Sequence, residues 1–259
     1  MFIFEWLSGL PWLVVFIIFL VLSLVTMAIA SVVTRHFDPR DRSNDNLARA
    51  ALTLLSSALI FTGAFTIITS WEDATQLRGS AQSEAILGQG VLRTIEALAP
   101  TDSSVALALA EYAESVIQNE TGLDGTLEPS LEAEDAFVSL ALTTVGVVRA
   151  SGLDLLESQA VVDSISSLKQ AREQRIVELS SAMILPILGL LLIMAVINLA
   201  GIGLFPTGSS PGIKRIYCVG IALAISGILT AIVVLQSVPF IHAQIAAPFE
   251  SLLSNATGR

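Results

Sequence analysis

Residues 50–71 read AALTLLSSALIFTGAFTIITSW, an apolar run without a single charge that closes on Trp71. A helix rises about 1.5 Å per residue and the hydrocarbon core of a bilayer is about 30 Å thick, so about 20 such residues make one crossing. Ala50 to Ser70 has that length, and three other runs match it. Pro11 to Thr34 lies beside Trp6 and Trp12, residue types that favour the membrane surface, and ends at Arg35. Ala182 to Phe205 and Ile216 to Phe240 form a pair joined by Pro206-Thr207-Gly208-Ser209-Ser210-Pro211-Gly212, a run dense in turn formers. The first run reads as a retained span, not a cleaved signal: it is too long for the apolar part of a signal peptide, and no Lys or Arg precedes it.

The whole chain agrees with this reading. Its 259 residues are 53% hydrophobic and 14% charged, with a mean hydropathy of +0.75, whereas soluble domains carry about 25% charged residues. That excludes an ordinary soluble enzyme. One cysteine excludes a disulfide scaffold, and with only His36 and His242 beside it no metal cluster is expected. A net charge of −10 excludes a nucleic-acid partner, which would require clustered Lys and Arg. No cofactor is implied.

The expected fold is all-α, with four transmembrane helices and a helical extramembrane bundle between spans 2 and 3. Residues 1–71 form a transmembrane hairpin, 72–181 an acidic helical domain, 182–240 a second hairpin and 241–259 an interfacial tail. Glu72 to Ser181 holds 18 Asp and Glu against 6 Lys and Arg. Arg35, Arg40, Arg42, Arg49, Lys214 and Arg215 cluster in the two short loops between spans. The positive-inside rule then puts those loops in the cytoplasm and the acidic segment outside the cell membrane.

The acidic segment reads as helices. Trp71 to Leu98 continues the second span, with Ala74, Leu77, Ala81, Ala85, Leu92 and Ile95 at helical spacings. Thr101 and Asp102 can cap a helix to about Asn119, ended by Gly122 and Gly125; Ser130 caps another, closed by Gly152. A fourth starts near Leu153 and keeps an apolar stripe into the third span, broken only by Arg172, so a continuous stalk of about 50 residues and about 75 Å is expected. Pro186, inside the third span, predicts a kink.

The spans contain no ionisable residue in their interiors, which argues against a proton relay. Thr62, Thr66 and Thr69 share one face of the second helix and are the pore-lining candidates, although such hydroxyls often bond to their own helix. Gly220, Ala224, Gly227 and Ala231 form a small-residue stripe suited to close helix packing, within one chain or between chains, and Asn198 can bond across a helix interface or locally. His242 reads as interfacial. The acidic residues Asp102, Glu111, Glu114, Glu132, Glu134 and Asp135 read as a solvated face, because their spacing is not that of a calcium loop. No nucleophile with its base, paired-carboxylate site or phosphate loop is present in the sequence, and a non-enzyme is expected.

Several patches carry a family likeness. Ser70-Trp71-Glu72-Asp73-Ala74 leads to Ser83-Glu84-Ala85-Ile86-Leu87; Glu111-Tyr112-Ala113 is followed by Asn119-Glu120; Arg172 and Arg175 precede Leu185-Pro186. The tail holds Val238-Pro239-Phe240, then Ala247-Pro248-Phe249 and Leu252-Leu253. Together they resemble the bestrophin-like integral membrane proteins, a widespread and mostly bacterial family. Ile241 and His242 stand where that pattern has a glycine, and Ile187 where it has a tryptophan. The resemblance makes Pro239, Phe240, Pro248 and Phe249 the family-like tail motif and implies an oligomeric ion pathway with a hydrophobic constriction, in a bacterial cytoplasmic membrane. Two functions are then open: a homo-oligomeric ion channel, or a non-catalytic accessory subunit of a larger membrane complex. In both, the lipid bilayer is the first partner. Alkaline carbonate washing of membranes should leave the chain in the pellet; recovery in the wash would contradict the four crossings.

Overall fold

The computed structural model describes residues 7, 9–36, 45–99, 103–120, 129–181, 185–204 and 211–258. The described elements are all helical: α1 Trp12–His36, α2 Asp45–Leu98, α3 Ser104–Asn119, α4 Leu131–Ala150, α5 Leu155–Ser181, α6 Leu185–Leu204, α7 Pro211–Leu235 and α8 Val238–Thr257. The chain divides into two compact units, Met1–Trp71 with Ile184–Gln236, and Glu72–Met183 with Ser237–Arg259. The 54-residue α2 contributes to both.

The first unit holds α1, α6, α7 and the leading part of α2, and its α1, α2, α6 and α7 are long and apolar enough to cross a membrane. Its interior is built from Val15, Phe19, Leu59, Leu191, Leu199 and Ile232. The outer surface is equally apolar: Phe61 is 74% exposed and Ile216 76%. Water would penalise such a surface by about 25 cal/mol per Å2 of apolar area, so the surrounding solvent is hydrocarbon. Helix packing is close where glycine allows it. A Cβ on Gly203 of α6 would lie 2.8 Å from the Met27 carbonyl oxygen of α1, and one on Gly63 of α2 would meet Ile228 of α7. Polar side chains bridge the helices: Asn198 Nδ2 donates to Ser56 Oγ at 2.7 Å, and Gln236 Nε2 to Ser70 Oγ at 3.2 Å.

The second unit packs α3, α4, α5, α8 and the trailing part of α2 around Leu77, Ile95, Leu109, Leu140, Leu168 and Phe249. Its helix ends follow local rules. Ser130 Oγ accepts from Glu132 N and Ala133 N to start α4, and Gly152, at φ +62°, makes the left-handed turn after it. Asp154 and Glu157 then exchange bonds, Asp154 N to Glu157 Oε2 and Glu157 N to Asp154 Oδ1, a reciprocal cap that starts α5.

Two boundaries differ from the sequence expectation. The fourth span ends at Leu235 rather than Phe240, because Ser237 caps a new helix in which Pro239 occupies a first-turn position that needs no N–H donor. Residues 238–257, read as the end of a span and a tail, are therefore the helix α8, and Ile241, Ile245, Phe249 and Leu252 are buried in the second unit. The expected kink at Pro186 falls at the edge of the described residues, because 182–184 just before it lie outside them. The expected stalk from α5 into α6 and the Gly122 and Gly125 stops fall on residues outside those described, as do Thr101 and Asp102; Ser103 takes the N-cap position of α3 without a side-chain bond.

Replacing Gly203 by Val should lower the unfolding midpoint in detergent, at a cost of about 1–3 kcal/mol for overpacking. Gly220→Ala, where a Cβ meets nothing within 4 Å, should leave the midpoint unchanged. Equal effects would contradict the α1–α6 crossing.

Candidate functional site

Two arrangements organise the charged and polar side chains, one in each unit. In the second unit, α5 carries Arg172 and Arg175 three residues apart on its buried face, 2% and 0% exposed. Removal of two guanidinium groups from water is affordable only if each is paired and hydrogen-bonded. Glu120, at the C-terminal end of α3, and Glu84 of α2 supply the countercharges, both fully buried.

Arg172 forks onto Glu120, Nη2 to Oε1 at 2.8 Å and Nη1 to Oε2 at 3.1 Å, while its Nε reaches the half-exposed Glu134 of α4 at 3.2 Å. Arg175 donates from Nε to Glu84 Oε2 and from Nη2 to Glu120 Oε2, each at 2.6 Å. Tyr112 of α3 donates its hydroxyl to Glu84 and accepts from Arg172 Nη1. Glu120 Oε1 also accepts the backbone N–H of Ser130 at 3.2 Å, which ties the end of α3 to the start of α4. Aromatic rings close the cluster. Phe249 of α8 lies under the Arg175 guanidinium, 5.4 Å from ring centroid to Cζ, and edge-on to Tyr112. Two buried positive and two buried negative groups make the quartet neutral, and five helices contribute to it or pack upon it.

The electrostatics follow from this pairing. Burial pushes the Tyr112 hydroxyl well above its ordinary range, and neighbouring Glu84 pushes it further, so it stays protonated and donates. Burial alone would raise Glu120, but Arg175 and Arg172 together outweigh it and hold the carboxyl below its usual value. Tyr112 thus stays a donor and Glu120 stays ionised, and the cluster locks the helix arrangement.

In the first unit, the outward face of α2 presents Leu54, Phe61, Phe65 and Ile68, with Ser57 beside them. The pore-lining candidates lie at its edge and behind it: Thr62 and Thr69 are half-buried, whereas Thr66 is 2% exposed within its own unit. Thr66 Oγ1 donates to Thr62 O, and Thr69 Oγ1 to Phe65 O and Thr66 O. The Thr66 and Thr69 hydroxyls are thus satisfied by their own helix. The Gly220, Ala224, Gly227, Ala231 stripe does not face a packed neighbour: a Cβ on either glycine meets nothing within 4 Å, and α7 buries Ala222, Ile225, Leu229 and Ile232 instead. Of the tail motif, Pro239 opens α8, Phe240 and His242 are half-buried, Pro248 lies inside the helix, and Phe249 is in the quartet's aromatic wall.

The acidic face is exposed at Glu111, Glu114, Glu132 and Asp135, with Glu134 turned back to Arg172. Asp102 lies outside the described residues. Sequence reasoning missed the quartet, because it took Arg172 as an interruption of the apolar stripe. The available signal was positional: Leu168, Arg172, Arg175 and Leu179 follow helical spacing, so both arginines occupy the buried stripe itself.

Two outcomes follow. Tyr112→Phe leaves one Glu84 oxygen short of a donor and should cost about 1–3 kcal/mol in urea unfolding of the detergent-solubilised protein. Because the folded Glu120 value is depressed, its contribution is complete above the unfolded glutamate pKa and is lost as pH falls through the folded one. Stability should therefore drop on acidification below that unfolded value, and Glu120→Gln should flatten this limb; an unchanged slope would contradict the pairing.

With this geometry in place, the relatives can be compared. The family model described as the Bestrophin-like domain matches residues 13–250. No curated protein matches the sequence. Two mutant crystal structures of a bacterial bestrophin homolog from Klebsiella pneumoniae share the fold. One has 13% identity and a TM-score of 0.70 over 94% of this chain and 99% of its own; the other has 14% and 0.72 over 94% and 97%. A further crystal structure, described only as a membrane protein, superimposes with a TM-score of 0.71 at 13% identity over 94% of this chain and 98% of its own. A match spanning nearly the whole sequence, on a chain with four membrane-length helices among its described residues, makes this protein a member of the Bestrophin-like domain family.

Proposed function

We propose that this bestrophin-like membrane protein assembles as a homo-oligomer around an ion-conducting pathway bordered by α2, and that its role is conductive and not catalytic. The observation that carries the reading is the outward face of α2. Leu54, Phe61, Phe65 and Ile68 recur along one stripe of a helix whose opposite face, at Leu59, Gly63, Thr66 and Ser70, is buried in the same unit. Copies of this stripe around a symmetry axis would form an apolar constriction, which closes to ions by losing its water and opens when it widens. Thr62 and Thr69 border the stripe and offer the nearest hydroxyls; Thr66 is too deeply buried for that role. The Gly220 to Ala231 stripe, open in the single chain, suits a contact between copies.

Charge sets the expected permeant ion. Residues 72–181 carry 18 acidic against 6 basic side chains, and Arg172 and Arg175 are consumed inside the quartet. The remaining surface potential is negative and concentrates cations near it. Purified protein in planar bilayers should conduct with cations favoured over anions, and Phe65→Ala should raise the current by loosening the constriction. Absence of conductance under every ionic gradient, or anion preference that survives neutralisation of surface acids, would overturn the proposal.

A further inference from the structure

A groove in the second unit shares no residue with the quartet and has an unexpected chemistry. It lies between α2 and α8, has a volume of about 260 Å3, and presents Arg78, Gln82 and Gln89 from α2 opposite Ser251 from α8. On α2 these residues stand at i, i+4 and i+11, one face of the helix. Its apolar surface comes from Ala85, Ile86, Pro248 and Leu252. Gly88 brings the walls together: a Cβ there would lie 3.2 Å from Leu252 Cδ2 and 3.3 Å from Leu109 Cδ1, so α8 seats directly on α2.

Two features set this groove apart from ordinary surface. First, no carboxylate lines it, although the segment 72–181 has three times as many acidic as basic residues, 18 against 6. Second, Arg78 forms no ion pair among the described residues, which Arg93 and Arg149 share, but Arg78 lines this groove. Gln82, Gln89 and Ser251 likewise have no hydrogen-bond partner among them. The Arg78 guanidinium and the Gln82 amide, one turn apart on α2, line the same groove as the Ser251 hydroxyl and an aliphatic floor, with no partner among the described residues, while Gln89 lies about 16 Å from Arg78 along the helix.

We propose that this groove binds a small organic anion, with a carboxylate or phosphate oxygen pair on the Arg78 fork, polar contacts to Gln82 and Ser251, and a short aliphatic body against Pro248 and Leu252. Arg matches planar and tetrahedral oxyanions through two parallel N–H bonds. The volume lies just under the roughly 300–1,000 Å3 of pockets for drug-sized ligands, which points to a ligand of a few carbons.

Butyrate has a carboxylate for the fork and three carbons for the floor, and serves as the probe. Calorimetric titration of the full-length protein in phosphate-free detergent buffer should show saturable butyrate binding, weakened at least tenfold by Arg78→Gln and unaffected by Arg93→Gln, a cation of α2 outside the groove. Butyramide, equal in shape but neutral, should not bind. Arg78→Gln should melt with the wild type because Arg78 has no partner to lose, and Arg78→Lys should fall between the two in affinity. Parallel titrations with inorganic phosphate and with phosphatidylglycerol in nanodiscs distinguish the source: an Arg78-dependent signal from phosphate identifies a free anion, and one from the lipid alone a headgroup, both upholding the site. Butyrate binding that ignores Arg78, or no Arg78-dependent signal from any of the three probes, would overturn it.

Discussion

Charge removed from water must be answered by charge, and in this protein that requirement fixes the second unit. Arg172 and Arg175 are buried beyond the reach of solvent, so Glu84 and Glu120 must stand within hydrogen-bonding distance of them. Each carboxylate comes from a different helix, and Glu134 and Ser130 bring in a third. Buried pairs of this kind contribute little net stability, since desolvation offsets their attraction, but loss of one partner is severe. What the quartet supplies is uniqueness: a helix rotated by one position would strand a charge among Leu109, Leu140 and Leu168.

The first unit solves the opposite problem. Its charged residues are absent from span interiors, so nothing specific fixes the helices except shape and a few short polar bridges. Gly203 against the Met27 carbonyl, Gly63 against Ile228 and Asn198 to Ser56 supply that shape. Close contact is the stabilising resource in hydrocarbon, where burial of apolar surface against protein gains nothing over burial against lipid. The same logic leaves the outward stripe of α2 available to neighbours or to a pathway.

How much of this was legible follows the same physics. Four spans and a helical middle could be read directly, because length and hydropathy are local properties that hydrocarbon enforces. Ends were harder. Apolar residues resume at Val238 after only Gln236 and Ser237, so the cap at Ser237 was read as a brief polar interruption of one run, and the reciprocal Asp154–Glu157 cap was visible in spacing but overlooked. The quartet was the least legible: Glu84 and Arg175 are 91 positions apart, and Glu120 and Arg172 are 52. The tyrosine helix and the arginine pair appeared as separate family-like patches, and only the fold brings them into one cluster. Arg172 and Arg175 also count among the six basic residues of the acidic segment, although both are neutralised internally.

A double-mutant cycle on Glu84 and Arg175 tests the central role of buried pairing most directly. Glu84→Leu, Arg175→Met and their combination would be unfolded in urea alongside the wild type. The account predicts that the double variant is far less destabilised than the sum of the singles, with a coupling of about 2–3 kcal/mol, the upper part of the range for contacting residues. Additive effects would show that the two side chains do not depend on each other, and would contradict the quartet as the element that holds these helices in place.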